Sequence, residues 1–140
     1  MRSNRMVLLV EDDKIDAMTV KRAFSDLSIL NPIEVVGNGE EALSYLKKPG
    51  NKKPSIILLD LNMPRMNGIE FLKVVKQEEK LKKIPVVVLT TSRADQDKDE
   101  SFDLGAAGYM VKPVDYNKFV DIVKTIYKYW TFSELPGETK

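Results

Sequence analysis

Five short apolar runs that alternate with segments of helical periodicity constrain the fold of this chain more than any other feature. The central run, Ile56 to Leu59, has no polar break, which is typical of a strand buried on both faces of a parallel sheet. Regular alternation of strands and helices favours right-handed crossovers and a parallel sheet with helices on both faces. The pattern therefore predicts a single α/β domain with a five-stranded doubly wound parallel sheet and five helices.

The element bounds follow from the apolar spacing and from the turn residues between the runs. The segment 93–104 is predicted to be a weakly anchored helix, since acidic residues crowd it. The lysine-rich loop 47–54 is interpreted as a solvated connection, because it lacks the aromatic residues expected of a nucleic-acid patch. Strands are predicted at 6–10, 33–36, 56–59, 86–89 and 109–111, helices at 14–27, 40–47, 69–79, 93–104 and 116–130, and a tail at 131–140 after a domain of 1–130.

The composition excludes several kinds of chemistry. The 140 residues suffice for one domain, and they include no cysteine and no histidine. Disulfides, thiol nucleophiles and a phosphohistidine on this chain are therefore excluded. A net charge of +1 indicates neither nucleic-acid nor membrane binding, and no apolar run is long enough to span a bilayer. We expect a cytoplasmic protein.

Polar side chains stand where four of the predicted strands end. Glu11, Asp12 and Asp13 follow the first strand, and the other three strand ends carry one residue each, namely Asp60 after the third, Thr90 after the fourth and Lys112 after the fifth. In a doubly wound sheet these four strands are neighbours, and ligands bind outside their carboxyl ends. We therefore expect these side chains to share one pocket, although Asp60 taken alone also suits a simple turn cap.

The residue types in this pocket suit phosphoryl transfer to a carboxylate. Several carboxylates together either take up protons or hold a cation, and oxygen ligands without histidine or thiolate favour Mg²⁺. Thr90 can donate a hydrogen bond to a phosphoryl oxygen, and Lys112 can neutralise another. Asp60 is then the expected nucleophile, giving an acyl phosphate without any general base.

These motifs resemble the receiver domains of two-component response regulators, a flavodoxin-like fold. The resemblance covers residues 6 to about 130 and rests on LLVEDD, ILLDLNMPRMNG, VVVLTTS and GYMVKP, all in order. It implies that Asp60 is the phosphoacceptor, that Asp12 is a direct Mg²⁺ ligand and that Glu11 acts partly through water. It also implies that the backbone carbonyl of Asn62 is a further ligand, whereas Asp13 falls beyond the acidic pair and is expected to cap a helix.

The resemblance also implies a switch. Thr90 would follow the phosphoryl group, and Tyr109 would be the aromatic residue whose rotamer changes with it. Lys112-Pro113 matches the position of a cis-proline, so Pro113 is expected to have a structural role. The face formed by the helix 93–104, the strand 109–111 and the helix 116–130 would then change its interactions with other proteins. The chain would be no enzyme beyond Mg²⁺-dependent self-phosphorylation and slow self-dephosphorylation.

The expected partner is a sensor histidine kinase acting in trans. The chain is similar to single-domain receivers, including the subgroup paired with phytochrome-type kinases, in its basic loop and aromatic last helix. A second copy of the chain is a further expected partner, because aromatic residues exceed what one inward helix face can absorb. The similarity to that subgroup involves Tyr127, Tyr129, Trp130, Phe132 and Leu135-Pro136. The surplus aromatics expected at an interface are Tyr127, Tyr129 and Phe132, because Trp130 belongs to the inward face.

Two other functions share the predicted layer order. A flavodoxin-like binding module needs a loop of small residues after the first strand to hold phosphate, whereas this chain has Glu11 and Asp12 there. An Asp-dependent phosphohydrolase of the haloacid type normally has a second Asp, the acid–base residue, two positions after its nucleophile. Asn62 stands at that position and cannot shuttle a proton, so turnover should be poor.

Overall fold

A computed structural model describes residues 5–133, in which strands and helices alternate from end to end. The strands are β1 (Val7–Val10), β2 (Ile33–Val36), β3 (Ile56–Leu59), β4 (Val86–Thr90) and β5 (Gly108–Val111). The helices are α1 (Lys14–Asp26), α2 (Gly39–Lys47), α3 (Gly68–Gln77), α4 (Asp95–Asp103) and α5 (Tyr116–Phe132).

The strands form one parallel sheet in the order β2-β1-β3-β4-β5. Val10 of β1 pairs with Leu59 of β3, so these two central strands end at the same level. The predicted doubly wound five-stranded sheet is thereby confirmed. Its order brings the carboxyl ends of β1, β3, β4 and β5 side by side, which is the arrangement that the site requires.

The apolar runs fill two separate layers, one on each face of the sheet. Successive strand side chains point to opposite faces. In β1, Val7 and Leu9 accordingly join the layer beneath α1 and α5, whereas Leu8 and Val10 join the layer beneath α2 and α3. Burial on both sides explains why the central strands carry continuous apolar runs.

Local capping chemistry sets several helix ends. Asp13 accepts hydrogen bonds from the backbone N–H groups of Ile15 and Asp16, which confirms its predicted role as the N-cap of α1. Asn67 and Glu70 form a capping box at the start of α3. The predicted start of α4 at residue 93 was wrong by two residues. Its N-cap position, Ala94, has no side chain able to cap the helix.

The last helix is longer than predicted and is fastened at its end. It continues through Phe132, two residues beyond the predicted helix end at residue 130, and Leu135-Pro136 lies outside the described residues. The guanidinium of Arg5, which is buried, donates hydrogen bonds to the carbonyl oxygens of Trp130 and, at 3.2 Å, Ser133. This contact joins Arg5, two residues before β1, to the end of α5, and the sequence pattern did not suggest it.

Two further expectations are corrected. Tyr127 packs partly buried against the layer beneath α1 and α5, because this position still faces the sheet, so it is not a surplus surface aromatic. Residues 5–133 contain no cis peptide bond, and Lys112–Pro113 is trans, the isomer that X–Pro bonds favour by about 0.5–1 kcal/mol. Over the same residues, every helix is too short or too polar to cross a bilayer.

Candidate functional site

Backbone hydrogen bonds between strand ends bring the predicted site residues together. The N–H of Asp60 donates to the carbonyl of Val10 at 3.0 Å, which fixes the end of β3 beside the end of β1. The N–H of Lys112 donates to the carbonyl of Thr90 at 2.7 Å, which fixes the end of β5 beside the end of β4. The predicted pocket of Glu11, Asp12, Asp60, Thr90 and Lys112 therefore lies along one edge of the sheet.

Three carboxylates form a compact cluster at this edge. One oxygen each of Glu11, Asp12 and Asp60 lies within 4.8 Å of the others. Glu11 and Asp60 are buried, while Asp12 is open to solvent. Donors of this type fit a hard divalent cation, which would relieve the repulsion among the three negative charges. Asp13 is not part of the cluster, in agreement with its capping role.

Gly68 allows the chain after Asp60 to fold closely over the end of β3. Its N–H donates to the carbonyl of Leu61 at 3.1 Å as α3 begins. A Cβ at this position would lie 2.5 Å from the carbonyl oxygen of Asp60 and 2.7 Å from the Cα of Leu61. Only glycine fits there without displacing the backbone that carries Asp60. Asn62 lies in this turn, and its carbonyl as a metal ligand stays a prediction.

Lys112 is held by two carboxylates. Its Nζ lies 2.5 Å from Oε1 of Glu11 and 3.2 Å from Oδ2 of Asp16, and its side chain is only 9% exposed. Glu11 was a predicted site residue, but Asp16 was not. The available signal was a carboxylate about one helical turn beyond Asp12, at the start of the helix that follows β1.

Burial and charge act against each other in this group. Burial raises the pKa of the Glu11 carboxyl to about 7, and the charge of Asp60 adds to this although Lys112 opposes it. For Lys112, burial by itself would lower the pKa. The hydrogen bond to Glu11 and the charges of Glu11, Asp60 and Asp16 outweigh burial, so the lysine pKa is raised and its ammonium stays protonated.

Thr90 and Tyr109 meet at the loop that leads into α4. The fully buried Thr90 accepts a hydrogen bond through Oγ1 from the N–H of Ser92 at 3.3 Å. The Tyr109 hydroxyl donates to the carbonyl of Ser92 at 3.1 Å, and the Ser92 hydroxyl donates to Oδ2 of Asp97 at 2.6 Å. Ser92, which sequence reasoning did not single out, therefore connects both predicted switch residues to α4.

A cavity of about 420 Å³ opens beside Lys112, between α1 and the start of α5. Asp16 and Thr91 contribute to its wall, and Arg22 stacks on the ring of Tyr116 at 4.1 Å. Large apolar side chains stand exposed beside this cavity, namely Ile15 and Met18 of α1 and Val114 in the segment before α5. The site is thus open on a side that carries apolar surface.

Comparison with known proteins identifies the family whose motifs meet in this site. The family model described as "Response regulator receiver domain" matches residues 7–124. The chain is similar to the probable methanogenesis regulatory protein FilR2 of Methanothrix harundinacea, with 38% identity over 94% of this chain and 88% of that protein. It is 35% identical to response regulator Rcp1 of Synechocystis sp., over 90% of this chain and 88% of Rcp1.

Solved structures of response regulators also superpose closely on this chain. The phosphorylated cyanobacterial phytochrome response regulator RcpA superposes with a TM-score of 0.89 and 34% identity, over 96% of this chain and 99% of RcpA. The Mn²⁺-bound form of Rcp1 gives a TM-score of 0.87 with 34% identity, over 95% of this chain and 99% of that one.

Proposed function

This chain belongs to the response regulator receiver domain family, and from that premise we propose that it is a signalling switch set by phosphorylation of Asp60. The observation that carries the proposal is the meeting of Asp60 with Glu11, Asp12, Thr90 and Lys112 at one sheet edge. Acceptance of a phosphoryl group needs positioning and charge neutralisation more than acid–base groups, and this edge offers both.

The reaction is a transfer from a phosphohistidine of a kinase to this chain. An Asp60 carboxylate oxygen attacks phosphorus and forms a P–O bond, while the P–N bond breaks and its electron pair returns to the imidazole. Lys112 and Thr90 hold the phosphoryl oxygens. Bound Mg²⁺, with Glu11, Asp12, Asp60 and the carbonyl of Asn62 as ligands, would neutralise further charge.

The switch would act through the loop between β4 and α4. Phosphorylation adds close to two negative charges in the pocket. Movement of Thr90 toward the new group would break its contact with Ser92, and Ser92 also holds Tyr109 and Asp97. The face formed by α4, β5 and α5 would then change shape, with a coupling of typically about 1–3 kcal/mol to partner binding.

Two partners are proposed. The first is a histidine kinase acting in trans, and we propose the phytochrome type because the similar protein RcpA is a phytochrome response regulator. It would dock where Ile15, Met18 and Val114 are exposed around the site. A second copy of the chain would pack against α4 and α5, where Phe102, Tyr129 and Phe132 are exposed. The cytoplasmic location and the division into a domain of 1–130 and a tail remain predictions.

The phosphohydrolase and flavodoxin-like alternatives are not favoured. Rcp1 and RcpA, which match this chain along most of their length, are response regulators. The acidic loop after β1 stands where a phosphate-binding loop would be needed. A switch should retain its acyl phosphate, whereas a hydrolase would release phosphate continuously.

The test uses the full chain, Mg²⁺ and acetyl phosphate. We expect wild type to gain the mass of one phosphoryl group and Asp60→Asn to gain none, with the fold unchanged in its amide spectrum. Asp103→Asn, which alters an exposed carboxylate at the end of α4, is the matched control and should label like wild type. If Asp60→Asn still acquired the mass under non-denaturing conditions, another residue would be the acceptor.

A further inference from the structure

The ammonium of Lys112 is turned toward α1 and not toward the proposed acceptor. Within residues 5–133 its ion pairs shorter than 4.0 Å are those with Glu11 and Asp16, and no Asp60 oxygen lies that close. The two contacts differ in exposure, since the Glu11 side chain is 2% exposed and the Asp16 side chain 42%. Asp16 is therefore the partner that water can most easily replace.

Asp16 is held firmly in this position by its helix. Its backbone N–H donates to Oδ1 of Asp13, the N-cap, so the residue lies in the first turn of α1. An ammonium has three N–H donors, of which Glu11 and Asp16 take two. A phosphoryl group on Asp60 would bring strong acceptor oxygens to the same lysine and would compete with the carboxylates already bound.

We propose that Asp16 is a positioning residue that holds Lys112 in its unphosphorylated position and competes with a phosphoryl group on Asp60 for the ammonium. This inference rests on the proposed function and deepens it. Exchange of the exposed Asp16 contact for a phosphoryl contact leaves the buried pair with Glu11 in place. The strength of the Lys112–Asp16 pair would then set how readily the pocket accepts a phosphoryl group.

The test measures binding of a phosphoryl mimic, so it does not depend on turnover. Beryllofluoride is titrated in the presence of Mg²⁺ into the full chain, and binding is followed by two-dimensional amide spectra. Asp16→Asn should bind the mimic about two- to fivefold more tightly than wild type, the range expected for a partly exposed ion pair. Asp16→Glu keeps the carboxylate, and a gain as large as that of Asp16→Asn would contradict the proposal.

A double-mutant cycle separates this contact from simple charge repulsion. Removing any negative charge near the pocket strengthens the binding of an anion, whether or not Lys112 is present. A gain that comes from freeing Lys112 from Asp16 occurs only when Lys112 is present. The gain from Asp16→Asn should therefore disappear when Lys112 is replaced by Ala. Asp95→Asn, an exposed carboxylate at the start of α4, should leave the affinity for beryllofluoride within about 1.5-fold of wild type, because salt screens distant exposed charges.

The outcomes are distinct. Unchanged or weaker binding by Asp16→Asn, or an equal gain in the Lys112→Ala background, would overturn the role of Asp16 while leaving the switch intact. A wild-type chain that neither binds beryllofluoride nor gains a phosphoryl group from acetyl phosphate would instead overturn the proposed function itself.

Discussion

Two carboxylates that are adjacent in the sequence have opposite effects on the stability of the fold. Asp12 and Asp13 are adjacent and both exposed, yet Asp12 belongs to the cluster with Glu11 and Asp60, whereas Asp13 caps α1. A carboxylate in a like-charged cluster destabilises the fold until a cation binds. A carboxylate at an N-cap satisfies backbone N–H groups and stabilises it. The two residues therefore form a natural pair for mutation.

Asp12→Ala should stabilise the metal-free chain by up to about 1 kcal/mol, since it removes a like charge that lies within 4.8 Å of the other two carboxylates in a solvated position. It should also abolish Mg²⁺-dependent labelling by acetyl phosphate. Thermal unfolding without metal gives the first quantity. Asp13→Ala is the matched control and should cost about 1 kcal/mol through loss of the cap. A sharp fall in the melting temperature of metal-free Asp12→Ala would show that this residue caps structure as well.

At the scale of elements, the site depends on how tightly each turn follows its strand. The turn after β3 folds over Asp60 because α3 begins with a glycine in contact with the β3 end. The loop after β4 is held by Ser92, and α4 beyond it leaves Phe102 48% exposed while it buries Ser101. The turn after β3 is therefore rigid because it is closely packed. The loop after β4 depends on a few hydrogen bonds that can rearrange.

Gly68→Ala should destabilise the fold by about 1–3 kcal/mol, as overpacking against backbone does, and should reduce labelling at Asp60. Chemical denaturation and acetyl phosphate labelling measure the two effects. Gly108→Ala is the control, since its Cβ would meet no atom closer than 3.7 Å and should be neutral or stabilising by up to about 1 kcal/mol. Equal stability of Gly68→Ala and wild type would mean that the β3–α3 turn shifts at no cost.

At the scale of the whole molecule, the exposed large apolar side chains of residues 5–133 lie mostly in two regions, and Leu30 stands apart between α1 and β2. One surrounds the site on α1 and before α5, and the other lies on α4 and the end of α5. Trp130 belongs to neither, because it is buried in the layer beneath α1 and α5 and its carbonyl is bound by Arg5. Tyr129 and Phe132, 50% and 83% exposed, are the exposed large aromatic side chains of α5, and the proposed dimer would bury them.

Phe132→Ala should weaken self-association at least about fivefold, because a buried aromatic anchor typically contributes more than 1 kcal/mol to an interface. Sedimentation velocity over a concentration series, with and without Mg²⁺ and beryllofluoride, measures it. Ile15→Ala lies on α1, outside this face, and should leave the dimerisation constant unchanged. A wild-type chain that stays monomeric at every concentration would remove the second copy as a partner.

The amino-acid sequence by itself determined the order of elements and the nature of the site. A strand buried on both faces needs a continuous apolar run, and a helix needs apolar residues about one turn apart, so both leave a local pattern. The strand ends then identify Glu11, Asp12, Asp60, Thr90 and Lys112, because parallel strands present their carboxyl ends at one edge. The apolar patterns and the strand-end residues are local features of the sequence, and the rule that parallel strands end at one edge brings them together into a site.

Only the tertiary structure decided which groups touch across the chain. Lys112 contacts Asp16, 96 residues away, and Arg5 contacts Trp130, 125 residues away. Neither Asp16 nor Arg5 differs in its local pattern from an ordinary surface charge. Both contacts depend on how α1, β5 and α5 are placed around β1 in the folded sheet, because side chains that are distant in sequence meet only after the chain has folded.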